Sequence, residues 1–294
     1  MRRLAWAGLV VSACAPRHGE WVPFERWAGL MIVEVEVEGD VARCLLDTGS
    51  VGTLLSTSFG PLEAEVDLGG FPLGIAAGAS EEGDALLASF EPTLGPLDGL
   101  LGWDSFQRVA LTVDPAIGGL RVSAPGRRAS RVDDEDLGDP IVVELVEGPL
   151  PIVVAEVDGV ETELAVDTGA SSAMLVPALL DALPDPPETD EVRVVTVDGV
   201  VTARRGKLQR LTVGELEQSD VDFVSFDSPQ IALLEDAGYD VEGLVGESSL
   251  VRGVFTLDGG RGELTFRPYD DATAEAQVEA LREQLQGDVR TVDL

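Results

Sequence analysis

The triplet Asp-Thr-Gly occurs twice in this 294-residue chain, as Asp47-Thr48-Gly49 and as Asp167-Thr168-Gly169, each time at the end of a short apolar run. Few other residues could do chemistry. There is one histidine, His18, and there are two cysteines, Cys14 and Cys44. That composition excludes an HExxH zinc site and a CxxC pair. A Ser-His-Asp triad would have to draw on His18, which precedes any folded pattern. Neither a G-x-x-x-x-G-K-[ST] loop nor a G-x-G-x-x-G opening a helix is present. Carboxylates are therefore the main groups left for acid–base work near neutral or acidic pH. A single Asp-Thr-Gly is a weak signal, because all three are ordinary turn residues. Two copies in matching surroundings are a strong one.

The surroundings do match. Residues 32–50 align without a gap on residues 152–170 at an offset of 120, which superposes Glu36 on Glu156, Gly39 on Gly159 and one triplet on the other. Residues 99–123 align on 243–267 at an offset of 144, pairing Gly102 with Gly246, Arg108 with Arg252, Thr112 with Thr256 and Asp114 with Asp258. The offsets differ by 24, so the second copy carries that many extra residues between its two halves. Two motifs repeated in the same order mark a duplicated domain.

The elements that must position the triplets read as β. Ile32 to Val37 alternates apolar and acidic residues, the period of a half-buried strand. Glu38-Gly39-Asp40 and Asp158-Gly159 are hairpin turn signals. Cys44-Leu45-Leu46 and Leu164-Ala165-Val166 are short apolar runs that enter the triplets as buried strands. Gly49 and Gly169 let the backbone turn where a Cβ would clash. Leu100-Leu101-Gly102 and Leu244-Val245-Gly246 suit a strand packed closely on another backbone. Toward the C-terminus, Val278, Leu281 and Leu285 form one apolar stripe over 271–287, a helix that Gly287 can end. The organisation expected is a leader at 1–13, a tether at 14–27, a first lobe at 28–125, a polar linker at 126–140, a second lobe at 141–270 and a helix with its tail at 271–294.

Lys+Arg number 20 against 54 Asp+Glu, a formal charge of −34, while 45% of residues are hydrophobic. The chain can bury a core and is not a disordered acidic tail. A surface this acidic argues against nucleic acid and against electrostatic docking on anionic lipid. The N-terminus carries its own address. Arg2 and Arg3 precede a short apolar stretch, and Val11-Ser12-Ala13-Cys14 resembles a bacterial lipobox. That resemblance implies a signal peptide cleaved before Cys14, acyl chains on Cys14, and a protein held on the bacterial envelope rather than spanning a membrane. Cys44 is then a lone buried thiol.

With both copies in view, residues 28–270 resemble the aspartic peptidases, the pepsin and retropepsin superfamily, and especially bacterial retropepsin-like proteins. The resemblance implies an all-β fold of two tandem barrel-like lobes with the active-site cleft between them. It makes Asp47 and Asp167 a catalytic dyad, hydrolysing a peptide or protein substrate through an activated water with neither metal nor cofactor. Thr48 and Thr168 would lock the two loops together, and Gly49 and Gly169 would let backbone N–H groups reach the carboxylates. Leu100, Leu101, Gly102, Leu244, Val245 and Gly246 would brace the loops. Ser50 stands where the second copy has Ala170, and a hydroxyl there would favour ionisation of Asp47. Flap candidates are Phe71, Leu73 and Gly74 in the first copy and Val197, Asp198 and Gly199 in the second. The implied form is a monomer whose lobes pair within one chain. The alternative is a catalytically inactive, lipid-anchored binding or scaffold protein on the same fold; lobes that pair between chains are a third reading.

Overall fold

The computed structural model describes residues 18–59, 66–74, 79–126, 137–196, 199–287 and 291–292. The leader, Cys14 and most of the linker lie outside these residues. The first copy contains β1 (Val22–Trp27), β2 (Leu30–Val37), β3 (Asp40–Leu46), β4 (Leu54–Leu55), β5 (Val66–Asp67), α1 (Glu81–Leu94), β6 (Gly99–Leu101), β7 (Ala110–Asp114) and β8 (Gly119–Ser123). The second begins with β9 (Ile141–Glu144), β10 (Ile152–Val157), β11 (Val160–Val166), β12 (Ala173–Leu175), α2 (Pro177–Ala182), β13 (Asp190–Thr196), β14 (Gly199–Val213) and β15 (Leu216–Ser225). It continues through α3 (Pro229–Asp236), β16 (Val241–Val245), α4 (Glu247–Leu250), β17 (Gly253–Asp258), β18 (Glu263–Pro268), α5 (Asp271–Gly287) and β19 (Thr291–Val292).

The alternation in β2 works as its composition requires. Val33, Val35 and Val37 are buried while Glu34 and Glu36 face solvent. Both hairpin turns have two consecutive residues with positive φ, Glu38 and Gly39 in one copy and Asp158 and Gly159 in the other. That geometry matches the right-handed twist of the flanking strands. The duplication is equally visible in the pairing. β3 runs parallel to β6 with Leu45 opposite Leu100, and β11 runs parallel to β16 with Ala165 opposite Leu244.

The two lobes are joined by a continuous sheet. An eleven-stranded sheet passes from the first lobe through β8 and β7 into β17, β18 and β9 of the second. At the crossing, Thr112 of β7 lies opposite Thr256 of β17, and their hydroxyls are 2.9 Å apart. These two residues are equivalents in the sequence repeat, so a pseudo-twofold axis passes between them. An eight-stranded sheet completes the second lobe.

Three departures from the sequence reading have physical reasons. Residues 22–27, read as part of a tether, form β1, which pairs with both β2 and β8. Its alternation is weak because only one face is partly covered. Residues 81–94 form a helix that the β reading passed over. Ser80 caps it by accepting from the Gly83 N–H, and Leu87, Phe90 and Leu94 pack on Leu45 and Leu100 behind the first bracing strand. Helix α5 does more than cover the second lobe. Its Gln277 accepts from Arg26 at 3.4 Å and its Gln284 accepts from the Gly29 N–H at 3.4 Å, while Arg282 donates twice to Asp222 at 3.1 and 2.9 Å. It therefore clasps both lobes. No described helix is long and apolar enough to cross a membrane.

Candidate active site

The two Asp-Thr-Gly loops meet on the pseudo-twofold axis. Each follows its buried strand, and each is anchored to its bracing strand by the same bond: Asp47 N–H to Leu101 C=O at 3.0 Å, and Asp167 N–H to Val245 C=O at 3.0 Å. The bracing glycines are obligatory by contact. A Cβ on Gly102 would lie 2.4 Å from the Gly52 backbone, and one on Gly246 would lie 2.2 Å from the Ser172 carbonyl oxygen. The residue after each glycine closes the loop, with Trp103 N–H donating to Ser50 C=O at 2.7 Å and Glu247 N–H to Ala170 C=O at 2.8 Å.

The threonines form a reciprocal lock. Thr48 Oγ1 donates to Val166 C=O at 2.7 Å and accepts from Thr168 N–H at 3.1 Å. Thr168 Oγ1 donates to Leu46 C=O at 2.9 Å and accepts from Thr48 N–H at 3.1 Å. Both side chains are fully buried. A hydroxyl is the only small group that can donate and accept at once in this place.

Beside this lock sit the two acids. Their carboxyls come together at Gly169, where a Cβ would lie 2.6 Å from Asp47 Oδ1 and 3.1 Å from Asp167 Oδ1. Asp167 Oδ1 accepts from Gly49 N–H of the opposite loop at 3.1 Å and from Gly169 N–H at 2.7 Å, while Asp47 Oδ1 accepts from Ser50 N–H at 3.0 Å. Any Cβ on Gly49 or Gly169 would strike a carboxylate, at 2.3 and 2.6 Å. Burial pushes the Asp47 carboxyl up to about 6, against the opposing pull of the neighbouring Asp167, Ser50 and Gly49 groups. Two carboxyls in contact cannot both ionise without mutual repulsion, so the pair holds one proton into the weakly acidic range.

A second ionic element lies beside the second Asp-Thr-Gly loop, where Glu247 N–H bonds to Ala170 C=O. Glu247 is fully buried, and its nearest charged partner is Arg26 of β1, 3.7 Å away. Burial pushes Glu247 up to about 7, with Arg26 pulling it down. Sequence reasoning missed both residues. Arg26 sat in the supposed tether. Glu247 follows the second bracing glycine where the first copy has Trp103, and an acid inside an otherwise buried motif was the available signal.

The remaining expected residues separate. Ser50 Oγ donates to Gly52 C=O at 3.0 Å, so the bond to Asp47 comes from the Ser50 backbone and not from its hydroxyl. The reason is local: the backbone turns so that the side chain closes its own loop. Phe71 and Leu73 are buried in the main core, with Leu73 N–H bonded to Val66 C=O, so this stretch folds back on β5 and its apolar side chains are spent on packing. Gly74 follows with a positive φ. The second flap candidate belongs to a larger hairpin, β13–β14, that closes with Thr196 opposite Gly199; Val197 and Asp198 lie outside the described residues. Cys44 is free and buried, and burial holds its thiol well above the usual range. Among the described residues, no three or more His, Cys, Asp or Glu gather to hold a metal ion.

Comparison with known proteins gives the same class. Residues 153–248 match the aspartyl protease family model, a span that holds the second triplet and its bracing strand. The fold is similar to that of an aspartic proteinase from Irpex lacteus, with a TM-score of 0.53 over 87% of this chain and 99% of that one, at 13% identity. No curated protein sequence matches the chain. The family match over the second copy and the two-lobed β fold both support a likeness to the aspartic peptidase superfamily.

Proposed function

We propose that the chain is an aspartic endopeptidase, hydrolysing peptide bonds by water activation between Asp47 and Asp167. The observation that carries this reading is the pair of buried carboxyls brought together at Gly169, on loops locked to each other by reciprocal threonine bonds. In the reaction the ionised member of the pair takes a proton from a water bound between the two carboxyls. The protonated member donates to the scissile carbonyl oxygen as the water oxygen bonds to the carbonyl carbon. Collapse of the tetrahedral gem-diol breaks the C–N bond: one of its hydroxyls returns a proton to the second carboxyl as the new carbonyl forms, and the first carboxyl passes its proton to the leaving nitrogen, which restores the one-proton pair. The Gly49, Gly169 and Ser50 N–H groups support this cycle by holding negative charge on the carboxyl oxygens without supplying protons.

The N-terminal address extends the proposal. Residues 1–13 are a signal peptide, Cys14 bears the lipid, and the lobes work as a monomer on the bacterial envelope, acting on peptides or proteins. Mass spectrometry of the membrane-extracted chain tests this. A mature form starting at acylated Cys14 supports it, and one retaining Met1 overturns it.

One observation favours a second reading. Asp47 is only 3% exposed and Asp167 is not exposed at all. In a catalytically silent binding protein, the same bonds would serve only to staple the lobes. Hydrolysis of a diverse peptide library from pH 3 to 8 separates the two readings, with Asp47→Asn and Asp167→Asn alongside. Cleavage lost in both variants supports the peptidase; a folded protein that cleaves nothing at any pH supports the binding protein.

A further inference from the structure

A cavity of about 1300 Å³ opens beside the second Asp-Thr-Gly loop and reaches Ser172, five residues beyond Asp167. The faces of β13, β14 and β15 form one wall, and Arg282 and Leu285 of α5 form another. Its charge is unlike that of the rest of the molecule. The chain carries −34 overall and only 20 basic residues, yet Arg193, Arg205, Arg282 and the single lysine, Lys207, all line this space.

The carboxylates present do not use up these cations. Asp222 is shared, with Arg282 at 2.9 Å on one side and Lys207 at 3.9 Å on the other. Lys207 and Asp222 are register partners on adjacent strands, so this sharing follows from the sheet itself. Asp190 lies 3.9 Å from Arg205 and is 83% exposed, a loose contact at the rim. Glu188 is the other acid on the wall. The lining is thus net positive, with two cations already converging on one carboxylate, and a further carboxylate would complete them.

We propose that this cavity is an arm of the substrate cleft that receives an acidic side chain of an extended peptide, with Arg205, Lys207 and Arg282 as its specificity-determining residues. The proposal rests on the peptidase reading above. The acidic exterior does not forbid it. At physiological salt, charges beyond about 8 Å are largely screened, whereas cations in contact with the ligand are not. Three partly exposed ion pairs at ordinary strengths correspond to about fivefold in affinity.

The test uses the full chain carrying Asp47→Asn and a set of fluorescent octapeptides. A single Glu is moved through the positions, and each peptide is compared with its Gln isostere by anisotropy at 0.15 M salt. One position is expected to prefer Glu by about fivefold, and the preference should fall below twofold in 1 M salt. Lys207→Gln should weaken it, and Lys207→Glu should reverse it to favour Gln or Lys. Both changes are at a half-exposed residue, and Arg205→Glu provides a second variant, with circular dichroism confirming the fold. No Glu-preferring position, a preference indifferent to these variants, or no peptide binding at all overturns the assignment. Cleavage by the native chain without a charge preference also overturns it while leaving the peptidase reading intact. Charge-selective binding by a native chain that cuts none of the peptides keeps the cavity and sinks the peptidase reading.

Discussion

Acidification from pH 7 to pH 5 should stabilise this protein, and Glu247 should account for most of the gain. The buried Glu247 carboxyl keeps its proton up to about pH 7, against 4.5 for the free side chain, and Asp47 keeps its proton up to about 6, against 3.8. A carboxyl whose pKa is higher folded than unfolded makes the folded state the stronger proton binder. Its stabilising effect is complete below the unfolded value and is lost as pH rises through the folded one. Over the interval from pH 7 to 5, the proton retained by Glu247 corresponds to ~2 kcal/mol and that of Asp47 to ~1 kcal/mol, at about 1.4 kcal/mol per tenfold. For a chain of this length, 3 kcal/mol raises Tm by roughly 6 °C. Relief of self-repulsion among the surface acids acts in the same direction. The assay is thermal unfolding at pH 5, 6 and 7 for the native chain and for Glu247→Gln. The variant should retain only about a third of the titration-driven rise, because a neutral amide cannot titrate. Comparing slopes removes the constant effect of changing the partner of Arg26. A Tm that is flat or falls from pH 7 to pH 5, or a Glu247→Gln slope equal to the native one, would refute the reasoning.

Other consequences follow from the loops themselves. Thr48→Val leaves Val166 C=O and Thr168 N–H buried without their partner, so denaturant unfolding should register a loss of about 2–5 kcal/mol; a loss under about 0.5 kcal/mol would mean the lock contributes no stability. Gly49→Ala places a methyl 2.3 Å from the Asp167 carboxyl, so peptide hydrolysis should fall at least a hundredfold in a chain that still folds; retained activity would show that the dyad tolerates displacement. Ser50→Ala should leave the titration of the carboxyl pair unmoved, because the hydroxyl is bonded to Gly52; a shift in the apparent pKa values, followed by carboxyl NMR, would show that the hydroxyl does reach Asp47.

Patterns that are local or repeated determined a large part of this protein before any folding was considered. The two Asp-Thr-Gly triplets, the apolar strands entering them, the apolar-apolar-Gly segments and the terminal helix can each be read over a few residues, because strand alternation, turn chemistry and a helical stripe act at that range. The offsets of 120 and 144 then made the two copies equivalent. Helix α1 was legible too, in the Ser80 cap, the acids behind it and the stripe of Leu87, Phe90 and Leu94, but a β expectation for the lobe hid it. What only the tertiary structure decided was the pairing of distant segments. The shared sheet joins Thr112 to Thr256, the buried ion pair joins Arg26 to Glu247, and α5 ties both lobes together. The cationic cavity likewise collects residues from β13, β14 and α5 into one space. None of these partners leaves a mark on its neighbours in the chain, because a contact across more than a hundred residues depends on how two folded surfaces meet and not on the local preference of either segment.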